Sequence, residues 1–306
     1  MEKNLLVTHT DLDGAGCAVL LRLAYLDNID IVYVSNPSEA TNVLKKSRSY
    51  DIIYVADMSF DPEELSYTTL SKIRLYDHHQ TAERCARYGI VDTSGVESGT
   101  SLLHKESPYR EADVFVDLVR KYDIWLWKEE NNKLPYYLNT LFQLYGMEKF
   151  VDVFVSKLRQ GTLTELNILT VEEAFLVAEY ELFKEREMNN ATKNVHIVET
   201  SDYTFALFFG NYDFSNFALI LKKQYPDVDF VMQINPNTGA VSVRTDKTYI
   251  DLGTLMHDKF SGGGHRMAAG GKIDFVENII EAAVQQLGMV TEITKGCNNN
   301  GFCKQI

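Results

Sequence analysis

Residues 5–26, LLVTHTDLDGAGCAVLLRLAYL, decide the reading of this chain. An apolar run of strand type enters a short loop carrying His9, Asp11 and Asp13. Gly14 and Gly16 follow at once and let the loop turn sharply into AGCAVLLRLAYL, a helical pattern. The alternation continues outward through IDIVYVS (29–35), SEATNVLKKS (38–47), YDIIYVAD (50–57) and KIRLYDHH (72–79). Strand, helix, strand, helix, strand predicts a parallel sheet with helices on its faces. The strand segments are rich in Val, Ile, Leu and Tyr without strict alternation, as strands buried on both faces should be. Residues 1–130 are therefore expected to form one α/β domain.

Beyond Trp127 the pattern changes to longer helical stretches, read as a helical connector over 131–192. Within it, TVEEAFLVAEYELFKEREMN (170–189) begins with a capping box, Thr170 followed by Glu173. Strands return from about residue 195: NVHIVET, YTFALFFG, and the pair DFVMQI and AVSVRT joined by NPNTG, a hairpin loop ending in glycine. One helix is expected near Asp251 and another over FVENIIEAAVQQLG. These make a smaller mixed α/β domain over 193–290, followed by a polar tail, 291–306, whose Cys297 and Cys303 carry no assigned function.

A chain of 306 residues with 45% hydrophobic side chains can bury two cores, since single cores stop growing at roughly 250–300 residues. Cys17 and Cys85 are too few for a disulfide framework and are read as reduced thiols. The net charge of −13 and the lack of a Lys/Arg run speak against a clamp for long nucleic acid. No apolar run approaches the roughly 20 residues that span a bilayer. A soluble, cytoplasmic protein is expected, with its oligomeric state left open.

The acidic and imidazole side chains fall at strand ends. His9, Asp11 and Asp13 follow the first strand, Asp57 ends the third, and Asp77, His78 and His79 end the fourth. In open α/β sheets the binding crevice lies at the carboxyl edge, so these groups are expected to converge there. Asp123, in KYDIW, is a further candidate. Converging carboxylates repel one another, and almost no Lys or Arg stands beside them to offset it. A mixed Asp/His set suits hard or borderline divalent ions such as Mn²⁺. Two such ions about 3.5–4 Å apart would activate water and clamp a phosphoryl oxygen.

At this point the motifs resemble those of the DHH phosphoesterases: THTDLDGAG the first, VAD ending at Asp57 the second, YDHHQ the third and KYDIW the fourth. GGGHRMAAG (262–270) is similar to the glycine-rich signature of the substrate domain attached to RecJ-type exonucleases and the bacterial nano-RNases. The resemblance implies Asp11, Asp13, Asp57, His78 and Asp123 as ligands of two Mn²⁺ ions, with His9 a further ligand and Mg²⁺ or Co²⁺ as substitutes. It implies Asp57 as the bridging carboxylate and His79 as the contact to the scissile phosphate or as acid/base support. It also implies an active site in the cleft between the domains. The first motif departs from many small members, where the histidine stands further from the acidic pair, so His9 is the least secure ligand.

In the second domain, Gly262, Gly263 and Gly264 would let backbone N–H groups approach a phosphate, with His265 and Arg266 directly following. If Val241 and Val243 face the core, Arg244 faces the other way by the period of two and could face substrate. Ser98, Gly99 and Thr100 are either another small-residue contact or a plain loop. Trp125 and Trp127 either offer a base-stacking face or fill a core.

These readings converge on a phosphodiesterase that cuts short oligoribonucleotides or linear dinucleotides to mononucleotides, with 5′-to-3′ cleavage implied by the resemblance. Residues 195–290 hold seven Lys+Arg against eleven Asp+Glu, so a local anchor is implied and not a long track. A cyclic mono- or dinucleotide phosphodiesterase is the nearest rival, and a phosphomonoesterase activity on 3′-phosphoadenosine 5′-phosphate a possible addition. A non-catalytic nucleotide sensor is the rival from another class. An inorganic pyrophosphatase shares the first motifs but not the glycine-rich signature.

Overall fold

The computed structural model describes residues 2–26, 28–106, 109–211 and 214–273. The helix expected over 275–288 and the tail with Cys297 and Cys303 lie outside the described residues. The chain divides into two compact units, Met1–Tyr180 and Glu181–Ile306.

The first unit begins β1 (Asn4–His9), α1 (Leu12–Tyr25), β2 (Ile29–Val34), α2 (Pro37–Lys45) and β3 (Ile52–Ala56). It continues with α3 (Tyr67–Leu70), β4 (Ile73–Asp77), a 3-10 stretch (Gln80–Tyr88), β5 (Gly89–Val91) and α4 (Gly99–Glu106). Then come α5 (Asp113–Asp123), α6 (Leu126–Glu129), α7 (Leu134–Tyr145), α8 (Met147–Gln160) and α9 (Val171–Thr192), the last of which runs on into the second unit.

The five strands form one wholly parallel sheet in the order β2-β1-β3-β4-β5. Leu5, Val7, Ile53, Val55 and Leu75 face one side, against Ala40 and Leu44 of α2, Phe60 and Cys85. Leu6, Ala56 and Tyr76 face the other, against α1, α4, α5, α7 and α8. Both faces are buried, which explains the absence of polar alternation in the strand sequences. Phe115, Phe150 and Phe154 form a fully buried aromatic cluster on the second side, with Phe150 and Phe154 at 4.4 Å between ring centres. Cys17 and Cys85 are free and buried.

Local signals set the helix starts. The Asp11 carboxylate accepts from the Gly14 N–H to cap α1, and the Asn36 side chain accepts from the Glu39 N–H ahead of Pro37 to cap α2. The capping box of α9 is reciprocal: the Thr170 N–H donates to Glu173, and the Glu173 N–H donates to the Thr170 hydroxyl.

In the second unit, β6 (His196–Glu199), β7 (Thr204–Phe209), α10 (Phe214–Gln224), β8 (Phe230–Ile234) and β9 (Ala240–Arg244) are followed by α11 (Leu252–Phe260), β10 (Gly263–His265) and β11 (Ala268–Lys272). The sheet is mixed, in the order β10-β11-β9-β8-β7-β6, with only β7 and β8 parallel. The expected β8–β9 hairpin is present, with Gly239 at φ +71 closing its loop, and Asp251 caps α11 by accepting from the Thr254 N–H. Among the described residues no helix is long and apolar enough to cross a membrane.

Candidate metal centre

The strand order positions the site. Strand β1 has β2 on one side and β3 on the other, so the chain leaves β1 and β3 in opposite directions and a crevice opens between their carboxyl ends. Thr8 is in register with Ala56, so the residues that follow, His9 and Asp57, emerge side by side. Asp77 ends the neighbouring β4, and Asp123 arrives from the last turn of α5.

Asp57 is 1% exposed, and neither of its carboxylate oxygens accepts a hydrogen bond. Its Oδ2 stands 3.9 Å from His9 Nδ1 and its Oδ1 3.3 Å from His78 Nε2. His78 Nε2 in turn lies 3.3 Å from Asp123 Oδ2 and 4.0 Å from Asp13 Oδ2. His78 Nε2, Asp123 Oδ2 and Asp77 Oδ2 are likewise buried without a hydrogen-bond partner. A buried polar atom without a partner costs about 1–3 kcal/mol, so this many at one place marks a site shaped for something other than protein. Three donor groups emerge: His9, Asp11 and Asp57; Asp13, His78 and Asp123; and Asp57, Asp77, His78 and His79. The donors are oxygen and imidazole nitrogen, the set that suits hard or borderline divalent cations.

The electrostatics agree. Burial, then the charges of Asp13, Asp11 and Asp123, push the Asp57 carboxyl well above its ordinary range. Burial, reinforced by Asp13 and Asp11, lifts Asp123 to about 8. Asp13 is raised by burial and by Asp11, and burial lowers His78. Burial also opposes charge on Asp11, but its hydrogen bonds from His9 and the Gly14 N–H outweigh that and hold it below the usual value. The same hydrogen bond, at 2.6 Å, raises His9. A bound cation would let these carboxylates be anionic together near neutral pH.

The backbone is forced here. Asp57 has φ +53 and Trp125 φ +64, left-handed values that a non-glycine residue adopts at a cost. The expected loop role of Gly14 and Gly16 is different in the structure. Both lie inside α1, and neither has a positive φ. They are needed because α1 packs closely on its neighbours: a Cβ on Gly14 would meet His9 O at the β1 end at 2.2 Å, and one on Gly16 would meet Thr100 Oγ1 of α4 at 2.3 Å.

Two contributors were not assigned roles from the sequence. Asp77, fully buried, accepts through Oδ1 from the His78 and His79 N–H groups and pairs with His79 Nδ1 at 2.8 Å. It thereby fixes the half-exposed His79 ring and raises its pKa. The other is the start of α4, where the Gly99 and Thr100 N–H groups donate to the two Asp13 oxygens at 2.6 and 3.0 Å. The small triplet 98–100 is therefore a positioning element and not a plain loop; its signal was its place ahead of a helical pattern. A Cβ at Gly99 would fall 2.7 Å from Asp57 Cβ and 2.8 Å from Asp57 N, both fixed. Gly99→Ala is expected to destabilise the fold by about 1–3 kcal/mol and weaken divalent-cation binding, read by urea unfolding and by metal titration.

The two tryptophans separate. Trp127 stacks between Tyr122 and Tyr136, with ring centres at 6.3 and 5.2 Å, whereas Trp125 is 57% exposed with the Lys128 ammonium 3.9 Å from its ring centre.

In the second unit the glycine-rich stretch is a β-hairpin and not an open loop. Gly262 and Gly264 are required by the chain itself: a Cβ on Gly262 would meet Gly270 O at 2.0 Å, and Gly264 has φ +140 with Ala268 O 2.7 Å from any Cβ. Gly263 alone faces open space. His265 is exposed, and Arg266 donates to Thr248 O at 2.6 Å. Val241 and Val243 are buried and Arg244 points the opposite way, its guanidinium 5.3 Å from the Phe214 ring centre. Arg244 and His265 flank Ala268 in register, which places them on one face of the sheet.

No protein-family model matches the chain. It is 29% identical to the oligoribonuclease NrnB of Bacillus subtilis (strain 168), over 87% of this chain and 71% of that protein. It is 24% identical to a 3′,5′-cyclic-nucleotide phosphodiesterase of Helicobacter pylori (strain ATCC 700392 / 26695), over 88% of this chain and 92% of that protein. Among solved structures, its fold is similar to that of exonuclease RecJ bound to manganese, with a TM-score of 0.55 at 13% identity, covering 94% of this chain and 89% of that one.

Proposed function

We propose that the chain is a DHH-type phosphoesterase of the nano-RNase and RecJ-like kind, and that it is a Mn²⁺-dependent phosphodiesterase cutting short oligoribonucleotides and linear dinucleotides to mononucleotides. The observation that carries this reading is Asp57, buried, bare of hydrogen bonds and set between two donor groups. His9, Asp11 and Asp57 would hold one ion; Asp13, His78 and Asp123, with Asp57 shared, would hold a second. When bound, two such ions supply Lewis acidity toward the phosphoryl group and make water a nucleophile near neutral pH.

The chain's own groups do the rest. Asp11 caps α1 while keeping Oδ2 on His9, so the first loop is preset. The start of α4 fixes Asp13 through two N–H groups. Asp77 holds His79 through Nδ1, which keeps the other ring nitrogen available to a phosphoryl oxygen or to a proton transfer. Trp125, exposed two residues beyond Asp123, offers a face for a base. Arg244, Gly263, His265 and Arg266 are proposed as contacts to the nucleotide's phosphate.

The test is a product-resolved assay with Mn²⁺, then with EDTA, offering pApA, a five-nucleotide RNA, a 24-nucleotide RNA, cyclic AMP and cyclic di-AMP at equal concentration. Metal-dependent release of mononucleotides, fastest from the two shortest linear substrates, is expected. The relative named for cyclic nucleotides favours one second reading, turnover of a cyclic mononucleotide, itself a phosphodiester, on the same site, and preference for cyclic AMP would install it. No hydrolysis of any would leave the sensor reading standing.

Gly263→Val and Arg266→Gln are expected to raise KM by about tenfold with Mn²⁺ affinity unchanged. Gly264 is unsuited to that test, because its replacement would strain the hairpin. An unchanged KM in both variants would remove the second unit's proposed contacts.

A further inference from the structure

At the amino end of β4, away from the metal centre, Tyr67, Leu70, Ile73, Arg74, Arg87 and Tyr88 line a cavity of about 450 Å³. Strand β4 separates the two places. Ile73 begins it and Asp77 ends it, a distance of about 13 Å at roughly 3.3 Å per residue. The cavity is therefore no part of the cluster described above.

Its lining is unusual for this chain. The protein carries 43 acidic against 30 basic side chains, and Arg84 and Arg120 each pair with an aspartate. Neither Arg74 nor Arg87 makes an ion pair among the described residues. Arg74 donates to its neighbour's carbonyl, Ile73 O, at 3.0 Å, and the Arg87 guanidinium stands 4.7 Å from the Tyr88 ring centre. Tyr88 is itself supported from within, 5.7 Å from the buried Phe60 ring. Tyr67, by contrast, is 85% exposed at the rim.

Two guanidinium groups without a carboxylate suit a phosphate, which they contact through paired N–H donors. An exposed ring beside them suits a flat heterocycle. The volume lies toward the lower end of the roughly 300–1,000 Å³ that ligand pockets span, which fits one nucleotide and not an oligonucleotide. We propose that this cavity is a second ligand site that takes a nucleoside monophosphate, its phosphate held by Arg74 and Arg87 and its base against Tyr67.

The experiment is calorimetric titration of the full metal-free chain, in EDTA, with AMP and separately with inorganic phosphate. AMP is expected to bind at least about tenfold more tightly than phosphate. Arg74→Gln combined with Arg87→Gln should weaken AMP by about tenfold or more, and Tyr67→Ala by severalfold, while Arg110→Gln, at an exposed arginine outside both sites, leaves it unchanged. All four positions are at the surface or rim, and thermal unfolding confirms that each variant is folded. Unchanged AMP affinity in the double variant, or an equal loss in Arg110→Gln alone, overturns the site. Equal affinity for phosphate and AMP, with no effect of Tyr67→Ala, overturns the nucleotide assignment. Because no turnover is measured, failure here leaves the phosphodiesterase reading intact, and failure of that reading leaves this one intact.

Discussion

Asp57→Asn is expected to lower turnover by at least about 10³-fold while raising the thermal midpoint of the metal-free protein. The two effects have one cause. Asp57 belongs to two donor groups, and the amide leaves one oxygen and no negative charge where the carboxylate offered two oxygens and a charge. In the metal-free chain the same side chain is a buried acid facing Asp11, Asp13 and Asp123, and a neutral amide of equal size removes that repulsion. Differential scanning calorimetry in EDTA reads the first-order prediction: a midpoint several degrees higher in the variant. With Mn²⁺ at about 100 times its Kd, the wild type should gain roughly 2.7 kcal/mol and the variant little of it. Retained Mn²⁺-dependent turnover, or a lower midpoint in EDTA, would sink the assignment of Asp57.

The second large effect concerns pH. In the metal-free protein the carboxyls of Asp57, Asp13 and Asp123 have folded pKa values above their unfolded ones, and Asp123 reaches about 8 against an ordinary 3.8. The folded state then holds protons that the unfolded chain releases. Their stabilising contribution is complete below about pH 4 and is lost as the pH rises through about 8. His9 and His79, both raised, act in the same direction near neutrality. Asp11, lowered, acts oppositely only in the acid range at and below its ordinary value, and His78, lowered by burial, acts oppositely just below its ordinary 6.5, one imidazole against three carboxyls. Urea midpoints measured in EDTA should therefore fall steadily from pH 5 to pH 8. Mn²⁺ needs the deprotonated carboxylates, so its affinity should rise over the same interval and the metal-loaded protein should lose the downward slope. A flat metal-free profile would mean that these carboxyls are solvated and do not form a buried cluster.

Much of this was legible in the chain. The spacing of apolar residues set β1 to β4 and the helices between them, because helix and strand periods are properties of local sequence. The capping box at Thr170, the Asp251 cap and the glycine closing the β8–β9 loop were readable for the same reason: each acts over three or four residues. Among the described residues, His9, Asp11, Asp13, Asp57 and His78 stand near one another at the strand ends, Asp123 joins them from the end of helix α5, and Arg244 faces away from Val241 and Val243 as the strand period required.

What the sequence determined by itself was the set of elements and the places where acidic and imidazole groups leave them. The tertiary structure alone decided which elements are neighbours. It placed β1 beside β3, so that Thr8 meets Ala56 and Asp57 becomes a buried, left-handed residue between two donor groups. It brought the start of α4 onto Asp13 from 86 residues away and gave Gly14, Gly16 and Gly99 their purpose, which is close approach and not turning. It also put Trp127 into an aromatic stack while leaving Trp125 in solvent, a difference that two alternating tryptophans do not show in sequence. Local periodicity carries no information about contacts between distant segments; packing density and the need to satisfy or shield each buried polar group fix those contacts once the chain has folded.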